Sequence, residues 1–128
     1  MIPSVRQCAA GILVGLSLVA FAEPAHAADA AAGKAVFNST CAICHSVQAG
    51  KNLIGPSLFD IVGRKTGSVA GYQYSPANAK ANLTWDEATL NTYLQAPQKV
   101  IPGTKMSYNG LKDDTKRADL IAYLESLK

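Results

Sequence analysis

The 128-residue chain lacks most of the features that announce a function. No basic run threaded with aromatics is present, and the formal charge is only +3, from 12 basic and 9 acidic side chains. A nucleic-acid surface would need more than that. No apolar stretch reaches the roughly 20 residues that span a bilayer. There is no alternating apolar–polar segment of the kind a half-buried strand shows, and no internal repeat. Apolar content is not scarce: at 48% it excludes a disordered or collagen-like chain. The length allows one domain and no more. Scarcest of all are the residues that bind metals or react, with 3 Cys, 2 His and 2 Met in the whole chain.

The first residues divide that short inventory. Arg6 precedes an apolar stretch from Ala9 to Ala22, and Ala25-His26-Ala27 offers small residues around a cleavage point. These are the three parts of an export signal, so cleavage after Ala27 and a periplasmic product are expected, an uncleaved anchor being the alternative. Cys8 lies ahead of the apolar stretch and has no expected role. Residues 28–128 then form the domain, with Cys41, Cys44, His45 and Met106 as their only Cys, His and Met.

Local signals predict helices joined by long loops. Asp29 caps a first helix through Lys34 and Phe37 towards Cys41. Glycines at 50, 55, 63, 67 and 71 argue for a long loop after His45. Ser75-Pro76 opens a short helix through Lys80. Thr84-Trp85-Asp86-Glu87 has the form of a capping box, starting a helix with Leu90, Tyr93 and Leu94 that ends before Pro97. Pro102-Gly103 leaves Thr104-Lys105-Met106 on a loop. Asp113 or Asp114 caps a last helix with Leu120, Leu124 and Leu127 on one face. The expected fold class is all-α. So small and loop-rich a domain cannot bury a large core unaided, and a buried flat cofactor would supply what is missing.

Cys41-Ala42-Ile43-Cys44-His45 is the C-x-x-C-H pattern of c-type haem attachment. Two thiols two residues apart on a turn can each add to one haem vinyl group, and the adjacent imidazole is then aimed at the iron. A structural zinc site would need a fourth ligand, which residues 28–128 do not contain. A thioredoxin-like dithiol would sit in a βαβ setting. With no other histidine, Met106 is the candidate for the second axial position, which favours the ferrous state. The competing reading of Met106 is a core gap-filler, against which its Pro-Gly loop speaks.

Further segments carry a resemblance. Gly55-Pro56-Ser57-Leu58, Gly63-Arg64-Lys65-Thr66-Gly67, Gly71-Tyr72-Gln73-Tyr74, Ile101-Pro102-Gly103-Thr104-Lys105-Met106 and Arg117-Ala118-Asp119-Leu120-Ile121-Ala122-Tyr123-Leu124 follow the haem motif. Together they resemble the class I c-type cytochromes, mitochondrial-type cytochrome c and its short soluble bacterial relatives, over essentially all of residues 28–128. The resemblance implies the cytochrome c fold around one covalently bound haem c. It implies that the Pro56 carbonyl accepts the second ring N–H of His45. Arg64, Tyr74, Ser75, Asn78 and Trp85 match positions around the haem propionates, whose burial needs charge and donors. Tyr93, Thr104 and Asn78 resemble the polar network beside the methionine sulfur. Gly33 and Phe37 are implied to pack against Leu120 and Tyr123 where the first and last helices cross.

The family docks through lysines around the haem edge, to which Lys34, Lys99, Lys105 and Lys112 could contribute. Thr40, Leu53, Gln98 and Asp113 stand where mitochondrial proteins often carry lysine, so a weaker docking face is expected. The loop from His45 to Gly55 is one residue shorter than in the mitochondrial protein. The function this implies is one-electron transport between a membrane quinol-oxidising complex and an oxidase, reductase or photosynthetic reaction centre. The carrier would be a monomer with transient, acidic redox partners. A small haem peroxidase would need a vacant sixth position and a distal acid–base residue, which the sequence does not suggest. A structural metal module is the third reading, to be told apart by absence of haem absorbance.

Overall fold

Acceptor side chains fix where the helices begin. In the computed structural model, which describes residues 26–128, the Asp29 carboxylate accepts the backbone N–H groups of Ala31 at 2.8 Å and Ala32 at 3.3 Å. This opens α1, Ala30–Thr40. Ser75 accepts from Asn78 N at 3.2 Å and opens α2, Pro76–Lys80, whose proline occupies a first-turn position that needs no N–H. Asp86 accepts from Thr89 N at 2.8 Å and opens α3, Glu87–Gln95. A short α4, Pro97–Val100, starts on another proline without a side-chain cap. Asp113 accepts from Lys116 N at 3.0 Å and opens α5, Asp114–Glu125. The expected export segment and Cys8 fall within residues 1–25, outside the described residues.

Two expectations change. The capping box at Thr84 does not form; Asp86 caps α3 two residues later. Residues 84 and 85 are held extended instead, Thr84 bridging to Lys65, Trp85 N donating to Arg64 O at 2.8 Å and Gly63 N donating to Trp85 O at 2.9 Å. A residue paired in that way cannot take helical dihedrals, so the next capable acceptor takes over. The turn of helix at Pro97–Val100 was not expected, although a proline at its first position is a start signal as well as a stop.

Packing brings α1, α3, α4 and α5 together, and α2 stands apart among the loops. α1 crosses α5 in the most extensive helix contact, and α3 also lies on α5. At the crossing a Cβ on Gly33 would sit 1.9 Å from the Asp119 carbonyl oxygen and 2.8 Å from Tyr123 Cβ, so only glycine fits. Phe37 stacks at a tilt on Tyr123, with ring centroids 5.6 Å apart. Ile61, Leu90, Tyr93, Leu94, Ile101, Leu120, Ile121 and Leu124 complete the buried apolar set, with Trp85 tilted against Tyr93 at 4.7 Å. The domain is all-α: among the described residues there is one isolated bridge and no sheet. No described helix is long and apolar enough to cross a membrane.

The loops form the other side and are tied by polar side chains. Asn52 reaches both ways, donating to Ala70 O at 3.1 Å and accepting from Ser57 N at 3.0 Å. Ser57 Oγ donates to Gln48 O at 2.6 Å, and Arg64 Nη2 donates to Ser57 O at 2.9 Å. Asp60 N donates to Leu127 O at 2.7 Å, which fastens this loop to the segment after α5.

Candidate functional site

Between the helices and the loops lies a cavity of about 490 Å³, within the size range of pockets that enclose one small organic ligand or cofactor. Cys41, Cys44 and His45 reach it from one tight turn. Cys41 continues the last turn of α1, its N–H donating to Phe37 O at 2.8 Å, and the Cys41 carbonyl then accepts from Cys44 N at 3.0 Å and His45 N at 2.9 Å. Burial, followed by the neighbouring Cys44, pushes the Cys41 thiol up to about 11, so it stays protonated. Burial also lowers the basicity of His45, which favours neutral imidazole. Its Nδ1 lies 2.8 Å from the Pro56 carbonyl, an acceptor that fixes the proton on Nδ1 and leaves the Nε2 lone pair free to bind a metal. The imidazole rests directly on Gly55, where a Cβ would come within 2.3 Å of Cε1.

Met106 lines the same cavity from the loop after α4. The Tyr93 hydroxyl donates to its sulfur at 3.5 Å, and burial raises the Tyr93 pKa, which keeps that proton in place. The Met106 N–H donates to Thr104 Oγ1 at 3.3 Å. Gln98 fastens the loop from α4: its amide donates to Met106 O at 2.7 Å and to Thr104 O at 3.4 Å. Nothing in the sequence singled out Gln98 for this, since the pairing depends on how the Pro-Gly loop turns back.

The polar residues named from the sequence come together at the cavity with one exception. Pro56, Tyr74, Ser75, Asn78, Trp85, Tyr93 and Thr104 line it, whereas Arg64 stands behind the lining. Tyr74 accepts from Val69 N at 3.1 Å, which leaves its own proton available. Arg64 Nε and Asn78 Oδ1 are buried with no protein partner. Orphaned buried polar atoms are costly; of the two, Asn78 borders the cavity and its Oδ1, an acceptor, calls for a donor and not for a carboxylate, while Arg64 lies outside the lining. Two neighbouring thiols, a neutral imidazole, a thioether and a cationic, donor-rich end fit a haem with its iron and its carboxylates. Of the four lysines, only Lys105 borders the cavity; Lys99 and Lys112 flank a separate shallow hollow, and Lys34 lies on α1. Ile54 and Tyr108 line the cavity without having been singled out, having no periodic pattern to mark them.

Comparison with known proteins decides the matter. The family model described as "Cytochrome c" matches residues 30–128. The chain belongs to the cytochrome c family. It is 49% identical over 100 residues to cytochrome c2 of Rhodopila globiformis, covering 78% of this chain and 94% of that protein. It is 51% identical over 98 residues to cytochrome c of Arabidopsis thaliana, covering 76% and 88%. Among solved structures, cytochrome cH from Methylobacterium extorquens superposes with a TM-score of 0.72 at 45% identity, covering 77% of this chain and 98% of that one. Membership of the cytochrome c family makes the protein an electron carrier rather than an enzyme, with one covalently attached haem c and redox proteins as transient partners.

Proposed function

We propose that this cytochrome c carries its haem on the sulfurs of Cys41 and Cys44, with His45 and Met106 as the axial ligands of the iron. The proposal extends to its route: single electrons pass from a membrane quinol-oxidising complex to a terminal oxidase, a reductase or a photosynthetic reaction centre. The observation that carries the reading is that all four of these side chains line one cavity. When bound, the haem supplies one-electron chemistry, its iron alternating between ferric and ferrous.

The chain's own residues do the rest. The Pro56 carbonyl holds the proton on His45 Nδ1 and so orients Nε2. The Tyr93 hydroxyl holds the Met106 sulfur, and Thr104 holds the Met106 backbone. Were His45 and Met106 both to hold the iron, no position would be left for a substrate, and little would have to move when the charge of the site changes. Tyr74, Ser75, Asn78 and Trp85, which line the cavity, would offer donors to the haem carboxylates, and Arg64 behind the lining would add positive charge. Lys105 at the cavity, with Lys34, Lys99 and Lys112 away from it, adds a mild positive charge that speeds encounter with acidic redox partners without locking the complex. The carrier works as a monomer in the periplasm, exported by residues 1–27 and cleaved after Ala27. Support for export comes from the three-part N-terminal segment and from similarity to a bacterial cytochrome c2.

Intact mass and a reduced-minus-oxidised spectrum of the exported protein test this together. The expected product has the mass of residues 28–128 plus one haem, with the spectrum of a six-coordinate c-type site. A colourless product weighing only its polypeptide would refute it.

A further inference from the structure

The chain has six asparagines, at 38, 52, 78, 82, 91 and 109. After five of them, the N–H of the next residue is spent on a hydrogen bond. Ser39 and Thr92 lie inside α1 and α3, where the helix takes that N–H. Leu53 N donates to Gly55 O at 2.9 Å, Ala79 N to Ser75 O at 3.0 Å and Leu83 N to Thr66 Oγ1 at 3.1 Å. Asn109 differs on every count. It is exposed on irregular backbone, glycine follows it, and among the described residues the Gly110 N–H meets no acceptor. The segment around it has no slack. Gln98 holds Met106 O at 2.7 Å on one side. On the other, Leu111 N donates to Leu94 O at 2.7 Å, and Arg117 Nη1 donates to Leu111 O at 2.8 Å. Gly110 itself is pressed on the end of α3, where a Cβ would come within 2.2 Å of Gln95 O.

We propose that Asn109 is a site of self-modification, at which the Gly110 nitrogen closes on the Asn109 side chain and the resulting isoaspartate loosens Met106. The first half stands on the local geometry alone; the second rests on the proposed axial role of Met106. The chemistry needs only water. Gly110 N bonds to Asn109 Cγ, the Cγ–Nδ2 bond breaks, and the Gly110 N–H proton departs with the side-chain nitrogen as ammonia. The cyclic imide left behind takes up water at one of its two carbonyls. Opening at Cγ gives aspartate. Opening at the Asn109 main-chain carbonyl gives isoaspartate, which routes the backbone through Cβ and Cγ and lengthens it by one carbon. Glycine has no side chain to block the closure, and an unspent N–H has no bond to surrender first. The added carbon has no room towards Gly110 or Leu111, both fixed on α3. It is taken up on the other side, by Tyr108 and Met106, which line the cavity. Tyr93 and Gln98 then hold a loop of the wrong length. A carboxylate is gained as well, in a chain whose formal charge is +3.

Ageing the haem-loaded protein at mildly alkaline pH, followed by peptide masses and labelling with an isoaspartyl methyltransferase, tests the first half. The peptide holding Asn109 should gain the mass difference between water and ammonia about tenfold faster than any other asparagine peptide, the worth of one hydrogen bond not broken. Asn109→Gln, whose longer side chain closes the ring poorly, should stay unlabelled. The second half is read from the absorbance band of the methionine-ligated ferric protein. In the labelled protein that band should disappear roughly one pH unit lower than in the fresh protein, the equivalent of one such bond lost. Asn109→Asp, measured before ageing, carries the charge without the extra carbon and should keep the fresh protein's pH. Conversion at Asn109 no faster than elsewhere, or labelling of Asn109→Gln as strong as the parent's, overturns the modification site. A labelled protein whose band persists like the fresh one's, or an Asn109→Asp variant that loses it equally early, overturns the effect on Met106. A fresh protein without the band at any pH refutes the proposed axial ligation and the second half with it, while masses and labelling still judge the site.

Discussion

Where α1 crosses α5, backbone meets backbone across Gly33, and Phe37, Leu120 and Tyr123 close the joint, with the buried Asp119 carboxylate at its edge. The segment from Pro97 to Leu111 is held differently. It has one turn of helix and then a loop, fastened by two hydrogen bonds from Gln98 and one each at Thr104 and Tyr93, with Met106 half-buried at the cavity. Tight packing tolerates almost no change in volume, because interiors have no slack. A hydrogen-bonded loop tolerates substitution but gives up its register with each lost bond. The first region therefore determines whether the chain folds, and the second determines what the bound iron sees.

Breaking the crossing should have the largest effect on stability. Gly33→Ala places a methyl group inside the Asp119 carbonyl, forcing α1 and α5 apart. We expect the haem-loaded protein to lose about 3 kcal/mol, in spite of alanine's better helix propensity. Guanidinium unfolding would measure it. A loss under about 1 kcal/mol would show that the crossing has slack the geometry does not reveal.

The counterpart in the loop is Met106→Ala. Its cost in stability is smaller, about 2 kcal/mol for a half-buried methionine. Its effect on function is larger than that of any other loop change. Without the thioether the potential falls and the iron binds cyanide. An unchanged potential with no gain in cyanide binding would remove Met106 from the axial position.

The same contrast explains what could be read from the sequence. The helices of the crossing, and the short α2, were legible because their signals are local: Asp29, Asp113 and Ser75 each lie beside the N–H groups they cap. Residues Cys41, Cys44 and His45 were legible because chemistry fixes their spacing. Thr84 misled because a long-range pairing with Lys65 and Arg64 overrode a sound local pattern. Gln98 was noted only as a missing lysine, and its grip on Met106 became visible once the loop's path was known. Ile54 and Tyr108 reach the cavity from irregular backbone, where no period marks an inward-facing side chain. Local signals place helices; the loops take their shape from partners distant in sequence.

Gln98→Ala sharpens the comparison by weakening the loop and leaving the crossing alone. Two donated bonds disappear, both at a solvent-accessible side chain, so the expected cost is about 1 kcal/mol. Global unfolding should hardly register it, since the loop opens before the helices separate. The sensitive measurement is the absorbance band of the methionine-ligated ferric protein. In Gln98→Ala that band should disappear at a lower pH than in the parent, while Gln98→Glu, which keeps the length and loses the donor, should behave as the alanine variant does. A band as persistent as the parent's would mean that Tyr93 and Thr104 hold Met106 by themselves.

Asp119 gives the smallest effect and ties the crossing to pH. Its carboxylate accepts the backbone N–H of Asp29 at 2.8 Å, joining the entry of α1 to α5, and His26 lies 3.2 Å from the same oxygen. These contacts, with the Asp29 N–H first, hold its pKa below the ordinary value of 3.8. A depressed carboxylate pKa adds stability that is fully present above the unfolded value and is lost as pH falls through the folded one. Asp119→Asn keeps the shape and removes the charge, so its Tm should lie a few degrees below the parent's at pH 7, with the gap closing below about pH 4. In a chain that begins at Ala28, as the proposed cleavage would leave it, His26 is gone and the gap should persist on the Asp29 bond alone. A difference that vanished in the cleaved protein would assign the effect to His26 and not to the helix entry.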